Sequence, residues 1–392
     1  MANGSGTPQG NGHAAGPAPL DASRTTVTLA ASLKPVPPAE ELVFGKIATD
    51  HMAIAHYDPV NGWSAPEIKP YGPLMLDPLS SCLQYSTSLF EGMKAYLGAD
   101  DKVRLFRPEM NMARMDRSRE RIALPPVDFN EVLKIIKRFV KLEERWIPRV
   151  QGHSLYIRPT LIGTRASLGV GASDHATLYV ICSPTGPYFR VARPLSLKAV
   201  GDYVRSWPGG TGGYKLSLNY APTFHPQTVA NKEGYDQILW LLGDKITEAG
   251  AMNFFAVLMR DDGDWDVVTP SVDGTILPGV TRHSCLELTG AHGSEISLYG
   301  LPSNLKLHPQ ERDITFTELE EASASGKLLE VFVVGTAVVV ASVEKIGADG
   351  KKDIVLQRYE GSFGPVARGL YEKITGIQEG REQFRDWSVV CE

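Results

Sequence analysis

The run Gly209-Gly210-Thr211-Gly212-Gly213-Tyr214-Lys215-Leu216-Ser217-Leu218-Asn219-Tyr220 sets one lysine behind four glycines in five positions, with a tyrosine to either side. An amine held at a fixed point in an apolar or cation-rich site can lose its proton near neutral pH and attack a carbonyl carbon. The glycines ahead of it let backbone approach a planar ligand and offer N–H donors. Two plainer readings stand beside this one: a surface lysine behind a flexible loop, and a nucleotide phosphate loop. The second requires Gly-Lys followed by Ser or Thr, whereas here Tyr214 precedes the lysine and Leu216 follows it.

Further candidates lie along the chain. Glu248 sits between two apolar runs, where a carboxylate can face a protonated ring nitrogen; a turn glutamate is the alternative. Pro278 and Gly279 precede a helix expected over residues 282–289, and backbone N–H groups at such an end bind phosphate. The break Gly335-Thr336-Ala337 in an apolar run can add donors, and Arg107 a cationic fork. Tyr156 and Arg158 are two apart, so on a strand both leave one face. There they can receive a carboxylate or form a surface ion pair. Tyr85, Phe90 and Tyr188 suit either an apolar pocket or ordinary core.

Positioning these groups takes a sizeable scaffold. At 392 residues the chain can bury two cores. Folded structure is expected from near Leu42, with strand-like runs at Phe44 and at 52–54. The second part of 85–96, with 103–106, reads as a hairpin, and 111–119 as a short helix. Asp128 is expected to cap a helix over 129–146, with Glu131 closing a capping box. Strands are expected at 154–159, 176–182, 238–242 and 253–259, the last two bracketing a turn at 243–245. A helix follows at 316–323, with Thr317 near its start, and a buried strand at 331–340 is interrupted at Gly335. The domain boundary falls near 185–197.

Composition narrows the class. Hydrophobic residues at 43% and charged residues at 22% fit a soluble globular protein. With 40 basic and 45 acidic residues there is no broad cationic face for nucleic acid. Four widely separated cysteines lack metal-ligand spacing and suit a reducing compartment. No apolar run matches a signal peptide or a membrane span. The cytoplasm is the expected location, with mitochondrial import left open by Arg24 and Lys34 among Ser and Thr.

Taken together, residues 85–96 (YSTSLFEGMKAY), 103–108 (VRLFRP), 155–160 (LYIRPT), 209–220, 237–243 (QILWLLG), 246–253 (ITEAGAMN), 277–282 (LPGVTR) and 335–337 (GTA) resemble the branched-chain amino-acid aminotransferases. Those are pyridoxal-phosphate enzymes of fold type IV, and the likeness runs over roughly residues 45–388. It implies an α+β, two-domain architecture with the active site between the domains. Residues 1–20 are rich in Gly, Ala, Pro and Asn and read by composition as disordered, with the tail taken to run over 1–40; 41–187 would be a small α/β N-terminal domain and 188–196 an interdomain loop. Residues 197–392 would form a larger cofactor-binding domain with a barrel-like mixed sheet.

By the same resemblance Lys215 carries pyridoxal 5'-phosphate, Tyr220 bonds its phenolic oxygen and Glu248 its pyridine nitrogen. Arg107, the backbone of Val280 and Thr281, and Thr336 hold the phosphate. Tyr85, Phe90, Tyr156 and Arg158 line the substrate pocket, with Ala337 near the α-carboxylate and Val170 and Tyr188 offered by the neighbouring subunit of a homodimer. The implied reaction moves an amino group between L-leucine, L-isoleucine or L-valine and 2-oxoglutarate by a ping-pong route, with Lys215 transferring the α-proton. Two departures stand out: Val338 and Ala341 replace a redox-active Cys-x-x-Cys of animal members, and Ala251 replaces a threonine. Alternatives are a D-amino-acid or R-selective amine transaminase or an aminodeoxychorismate lyase of the same fold and, from another class, a non-enzymatic binder of a phosphate-bearing ligand. Small amino and 2-oxo acids are the expected partners; no metal, nucleic acid or membrane is.

Overall fold

The computed structural model describes residues 16–188 and 193–391. Their strands build two sheets, each with helices on a face. The first contains β1 (Thr26–Val27), β2 (His51–Asp58), β3 (Gly62–Trp63), β4 (Glu67–Pro70), β5 (Ser88–Phe90), β6 (Met93–Leu97), β7 (Val103–Phe106), β8 (Ser154–Gly163) and β9 (Ala176–Thr185). The second contains β10 (Leu195–Val200), β11 (Gln237–Leu242), β12 (Lys245–Ala249), β13 (Met252–Met259), β14 (Trp265–Thr269), β15 (Leu307–Glu311), β16 (Leu328–Gly335), β17 (Val339–Gly347) and β18 (Ile354–Val355). The last strand, β19 (Ser388–Val390), returns to the first sheet, whose main path is β1-β4-β2-β9-β8-β6-β7-β19.

Helices α1 (Ser81–Tyr85), α2 (Pro108–Arg121) and α3 (Phe129–Leu142) belong with the first sheet. On α3 the positions Val132, Ile135, Ile136, Phe139 and Val140 form one buried stripe that joins the core of that sheet. Asp128 caps α3 as expected, accepting the Asn130 N–H at 2.9 Å. Glu131 does not close the box; it reaches out to the Ala22 N–H at 2.7 Å. Residues 144–146 turn off the axis as a separate 3-10 turn.

In the second sheet β12 pairs with both β11 and β13, so β12, β11, β10, β17, β16 and β13 close a ring. Strand β10 runs parallel to both its neighbours, which makes the ring mixed as well as barrel-like. Its apolar strands are buried on both faces. Phe254 and Ala256 enter one core while Phe255 and Val257 enter another, and Val331 and Val333 alternate with Phe332 and Val334 likewise. Helices α4 (Phe224–Lys232), α5 (Val280–Ala291), α6 (Phe316–Ala324) and α7 (Pro365–Gln378) complete this half. Thr315, not Thr317, caps α6.

Four expectations are corrected. Residues 16–40 are no disordered tail: Leu20 is 3% exposed in the first core, β1 pairs with β4, and the Ala30 N–H donates to His51 Nε2 at 2.9 Å. A few anchors suffice to hold a proline-containing segment whose composition hides them. Residues 1–15 of that expected tail, and 189–192 of the expected interdomain loop, lie outside the described residues. The range 197–392 is not one unit, because β19 pairs with β7 and Cys391 enters the first core. The turn expected at 243–245 lies at 243–244 and is followed by a strand over 245–249 that was not expected, and Phe44 lies in a turn where a strand was expected. Among the described residues, no helix is long and apolar enough to cross a membrane.

Leu20→Ala is expected to lower folding stability by about 2–3 kcal/mol, whereas Leu29→Ala, at a site 63% exposed, stays within about 0.5 kcal/mol. Denaturant melts of the two variants check this; equal midpoints would mean that the N-terminal strap is not packed as described.

Candidate active site

Lys215 lies where the two halves meet. Its N–H donates to Ser118 Oγ on α2 at 2.9 Å, and its carbonyl accepts from Phe90 N–H at 3.2 Å. The next residue, Leu216, bridges to Leu89 and is fully buried in the first core. Asn219 shapes the loop, donating to the carbonyls of Thr211 and Tyr214, both at 2.9 Å. Two of the glycines serve packing: Gly213 N–H donates to the Gly274 carbonyl at 2.8 Å, and a Cβ at Gly212 would stand 2.3 Å from the Thr275 oxygen.

With its backbone clamped, Lys215 directs Nζ to Tyr220 Oη, 3.3 Å away, and lies 5.1 Å from the centroid of the Phe90 ring. Glu248 lies on β12 directly across from Asn253 of β13, whose amide donates to Oε1 at 3.1 Å. The Glu248 carboxylate is buried and forms an ion pair with Arg205. Burial raises its pKa, and the charges of Arg205 and Lys215 oppose that shift. That ion pair is made through Oε2, so each carboxylate oxygen faces a partner, Asn253 at Oε1 and Arg205 at Oε2.

A second pole gathers the anion-binding candidates. Val280 and Thr281 begin α5, which no side chain caps, and Thr336 sits in the turn between β16 and β17. All three line one small cavity of about 20 Å³. Arg107 comes from the end of β7 in a left-handed conformation with φ 46°, a strained backbone of the kind found at ligand sites. Its guanidinium stacks 4.1 Å from the Trp387 ring centroid and donates to Ser284 at 3.0 Å and Glu287 at 2.8 Å. Arg107 Nε is buried without a partner.

Around Lys215 an aromatic wall forms. Arg158 Nη2 donates to Tyr156 Oη at 3.0 Å, and its guanidinium lies 4.5 Å from the centroid of Phe90. Arg158 Nε, too, has no partner. Gly92 makes room for this pair, since a Cβ there would lie 2.0 Å from Tyr156 Oη. Tyr188, expected from a neighbouring subunit, stands in this chain's own cluster: Phe44 bridges it to Tyr156 with ring centroids 5.3 and 4.7 Å apart. Ala337 borders the same space as Tyr188. Tyr85 is not brought to Lys215; partly exposed at the end of α1, it donates to the Leu168 carbonyl beside Val170, which is 89% exposed. Ala251 is exposed at the tip of the β12–β13 turn.

Sequence reading missed Phe44, Arg205 and a buried brace. Glu91, wholly buried, takes Arg114 Nε at 2.7 Å, Arg114 Nη2 at 2.8 Å and Asn111 Nδ2 at 2.8 Å. Arg114 Nη1 crosses to the Pro278 carbonyl at 3.0 Å, just ahead of α5. Burial pushes the Glu91 pKa up, but Arg114, Asn111 and the charge of Lys215 outweigh it and hold the carboxyl low. A Glu just past a strand end and an Arg six residues after a Pro gave no periodic signal that could have paired them.

Comparison with known proteins adds a lineage to this geometry. The family model for amino-transferase class IV matches residues 88–346. The cytosolic branched-chain-amino-acid aminotransferase of Saccharomyces cerevisiae is 44% identical over 377 residues, covering 95% of this chain and 98% of that protein. The mitochondrial one of Schizosaccharomyces pombe is also 44% identical, over 95% of this chain and 86% of its own length. A solved branched-chain amino acid aminotransferase from Thermobaculum terrenum, in its PLP form, superposes with a TM-score of 0.66 at 20% identity, covering 88% of this chain and 98% of that one. That last likeness is one of fold.

Arg114→Met leaves Glu91 buried without its counter-charge and is expected to cost about 3–5 kcal/mol. Urea unfolding measures it. Replacing both members (Glu91→Gln with Arg114→Met) should recover part of that loss, and a double variant no more stable than Arg114→Met argues against the pairing.

Proposed function

Because the chain belongs to the branched-chain-amino-acid aminotransferases, within the class IV amino-transferases, we propose that it moves the amino group between L-leucine, L-isoleucine or L-valine and 2-oxoglutarate, using pyridoxal 5'-phosphate. The observation that carries this reading is a set of buried atoms with no hydrogen-bond partner. Arg107 Nε and Arg158 Nε are donors without a hydrogen-bond partner. Buried polar groups left unmade are costly, and these two match a phosphate and a carboxylate in turn.

The residues fit the cofactor. Lys215 would hold it covalently, Tyr220 its phenolic oxygen, and Glu248 its pyridine nitrogen. Arg107, the N-terminus of α5 at Val280 and Thr281, and Thr336 would hold the phosphate. When bound, the cofactor supplies an electron-withdrawing ring that acidifies the substrate's α-hydrogen. Lys215 Nζ takes that proton and returns it, one amine serving both directions. Tyr220 Oη orients the amine from 3.3 Å. Glu248, whose charged form Arg205 favours against the effect of burial, would face a protonated ring nitrogen.

Substrate choice follows from the wall. Phe90, Tyr156, Phe44 and Tyr188 surround a branched apolar side chain, and Arg158 takes the distal carboxylate of glutamate, so one site serves both partners. Ala337 lies toward the α-carboxylate. The small unit spans 41–187 together with the packed segment 16–40 and β19, and the large one begins after 196, with residues 188–196 between them. A homodimer is supported by exposed Leu79, Leu83, Leu168 and Val170 near Tyr85, an apolar patch of the kind that partners cover. Tyr85 and Val170 would then complete the other subunit's pocket. Relatives carry both cytosolic and mitochondrial names, and we place this chain in the cytoplasm.

A panel of L-leucine, L-isoleucine, L-valine, D-alanine and R-phenylethylamine against 2-oxoglutarate tests the reading. The three branched L-amino acids should dominate; faster turnover of D-alanine or the amine would overturn it. Lys215→Ala should lose the visible band of the bound cofactor and at least about 10³-fold in rate. Arg158→Leu should raise KM for 2-oxoglutarate by about tenfold or more while KM for leucine stays within about threefold; equal rises for both would remove Arg158 from the distal carboxylate.

A further inference from the structure

Lys94 on β6 is a buried ammonium that the chemistry above leaves unused. Its Nζ donates to the Ala337 carbonyl at 2.8 Å, and among the described residues it pairs with no carboxylate. The other site cations differ. Arg114 faces Glu91, Arg205 faces Glu248, and Arg107 faces Glu287. Only Arg158 shares the unpaired state of Lys94 among these groups, and it already has a carboxylate to meet. In register, Lys94 stands directly opposite Tyr156 of β8, so the two side chains leave the same face of the sheet. Lys94 also borders two spaces at once: the small cavity with Val280, Thr281 and Thr336, and a larger one of about 240 Å³ with Tyr188 and Ala337.

A charge taken out of water without a counter-charge is retained at a cost that an apolar residue of similar length would avoid. Burial lowers the Lys94 pKa to about 8, which still leaves the amine mostly protonated at pH 7. We propose that Lys94 is a further ligand-binding residue, the counter-charge for an oxyanion arriving beside the Thr336–Ala337 turn. The substrate's α-carboxylate is one source of that oxyanion and the cofactor's phosphate the other. The first is favoured by the arithmetic of charge: 2-oxoglutarate and glutamate bring two carboxylates, and the wall offers two unpaired cations, Arg158 and Lys94. This inference rests on the transaminase reading for its ligands.

The test uses cofactor-loaded protein and unreactive ligands, so it does not depend on turnover. Lys94→Gln keeps an N–H donor for Ala337 while removing the charge, and Lys94→Arg restores the charge. Binding of 4-methylpentanoate and of its uncharged amide, 4-methylpentanamide, is followed by the visible absorbance of the bound cofactor; cofactor affinity is titrated separately. With the α-carboxylate as the anion, Lys94→Gln weakens 4-methylpentanoate about tenfold or more, leaves the amide unchanged, and Lys94→Arg recovers most of the loss. With the phosphate as the anion, cofactor affinity falls by a similar factor and the acid-to-amide ratio holds. If Lys94→Gln melts like the wild type and neither quantity moves by more than about twofold, the proposal is wrong. Should Lys94→Gln not fold, the acid-to-amide ratio of the wild type and of Lys94→Arg decides: no preference for the acid in either overturns it. Wild-type protein that binds the acid yet turns over no leucine would sink the transaminase reading alone.

Discussion

The site depends on one buried guanidinium. Arg114 leaves α2, a helix of the first half, satisfies Glu91 at the junction of β5 and β6, and reaches the Pro278 carbonyl ahead of α5 in the second half. Several groups of the site adjoin those three places. Phe90 precedes Glu91 and Gly92 follows it, α2 also presents Ser118 to the lysine backbone, and α5 starts with Val280 and Thr281. A buried pair of this kind contributes little net stability against an apolar substitute, because desolvation offsets the attraction. Its value is in specification: bonded at both ends in fixed directions, it admits one relative placement of strand end, helix and loop.

The chain order of the two halves misleads about their packing. Lys215 is encoded after β10, within the second half, yet Leu216 is buried in the first core and Leu89 bridges to it. Conversely, the C-terminal β19 pairs with β7 and brings Trp387 under Arg107. One crossing is at the amine and the other at the anion pole. An opening of the halves would therefore have to break paired backbone at both poles, which makes the distance between them a property of the fold rather than of a loop.

How much of this was legible follows from the range of each interaction. Period and capping are local, so α3 and its Asp128 cap, the strands β8, β9 and β13, and the glycine run could be read from neighbours in sequence. The chemical candidates Lys215, Glu248, Arg107, Tyr156 and Arg158 stood out because each combined an unusual residue type with a nearby turn or strand. What failed was non-local. Glu131 was given to its own helix and serves Ala22, 109 positions away. Residues 16–40 were judged by composition and are held by single anchors in distant strands. Glu91 and Arg114, 23 apart, and Arg205 and Glu248, 43 apart, meet only through the topology of sheets that no local pattern describes.

The distribution of satisfied and unsatisfied charge then separates scaffold from site. Cations that position something have their carboxylate in place already, as Arg114 does with Glu91 and Arg205 with Glu248. Arg107 Nε and Arg158 Nε are buried without a hydrogen-bond partner, although Arg107 also pairs with Glu287. Arg205 and Asn253 hold the Glu248 carboxylate in place, one at each oxygen. A scaffold that binds its own functional groups completely would be more stable and inert; this one stops one hydrogen bond short at two of its arginines, and that remaining capacity is what a phosphate and a carboxylate can use.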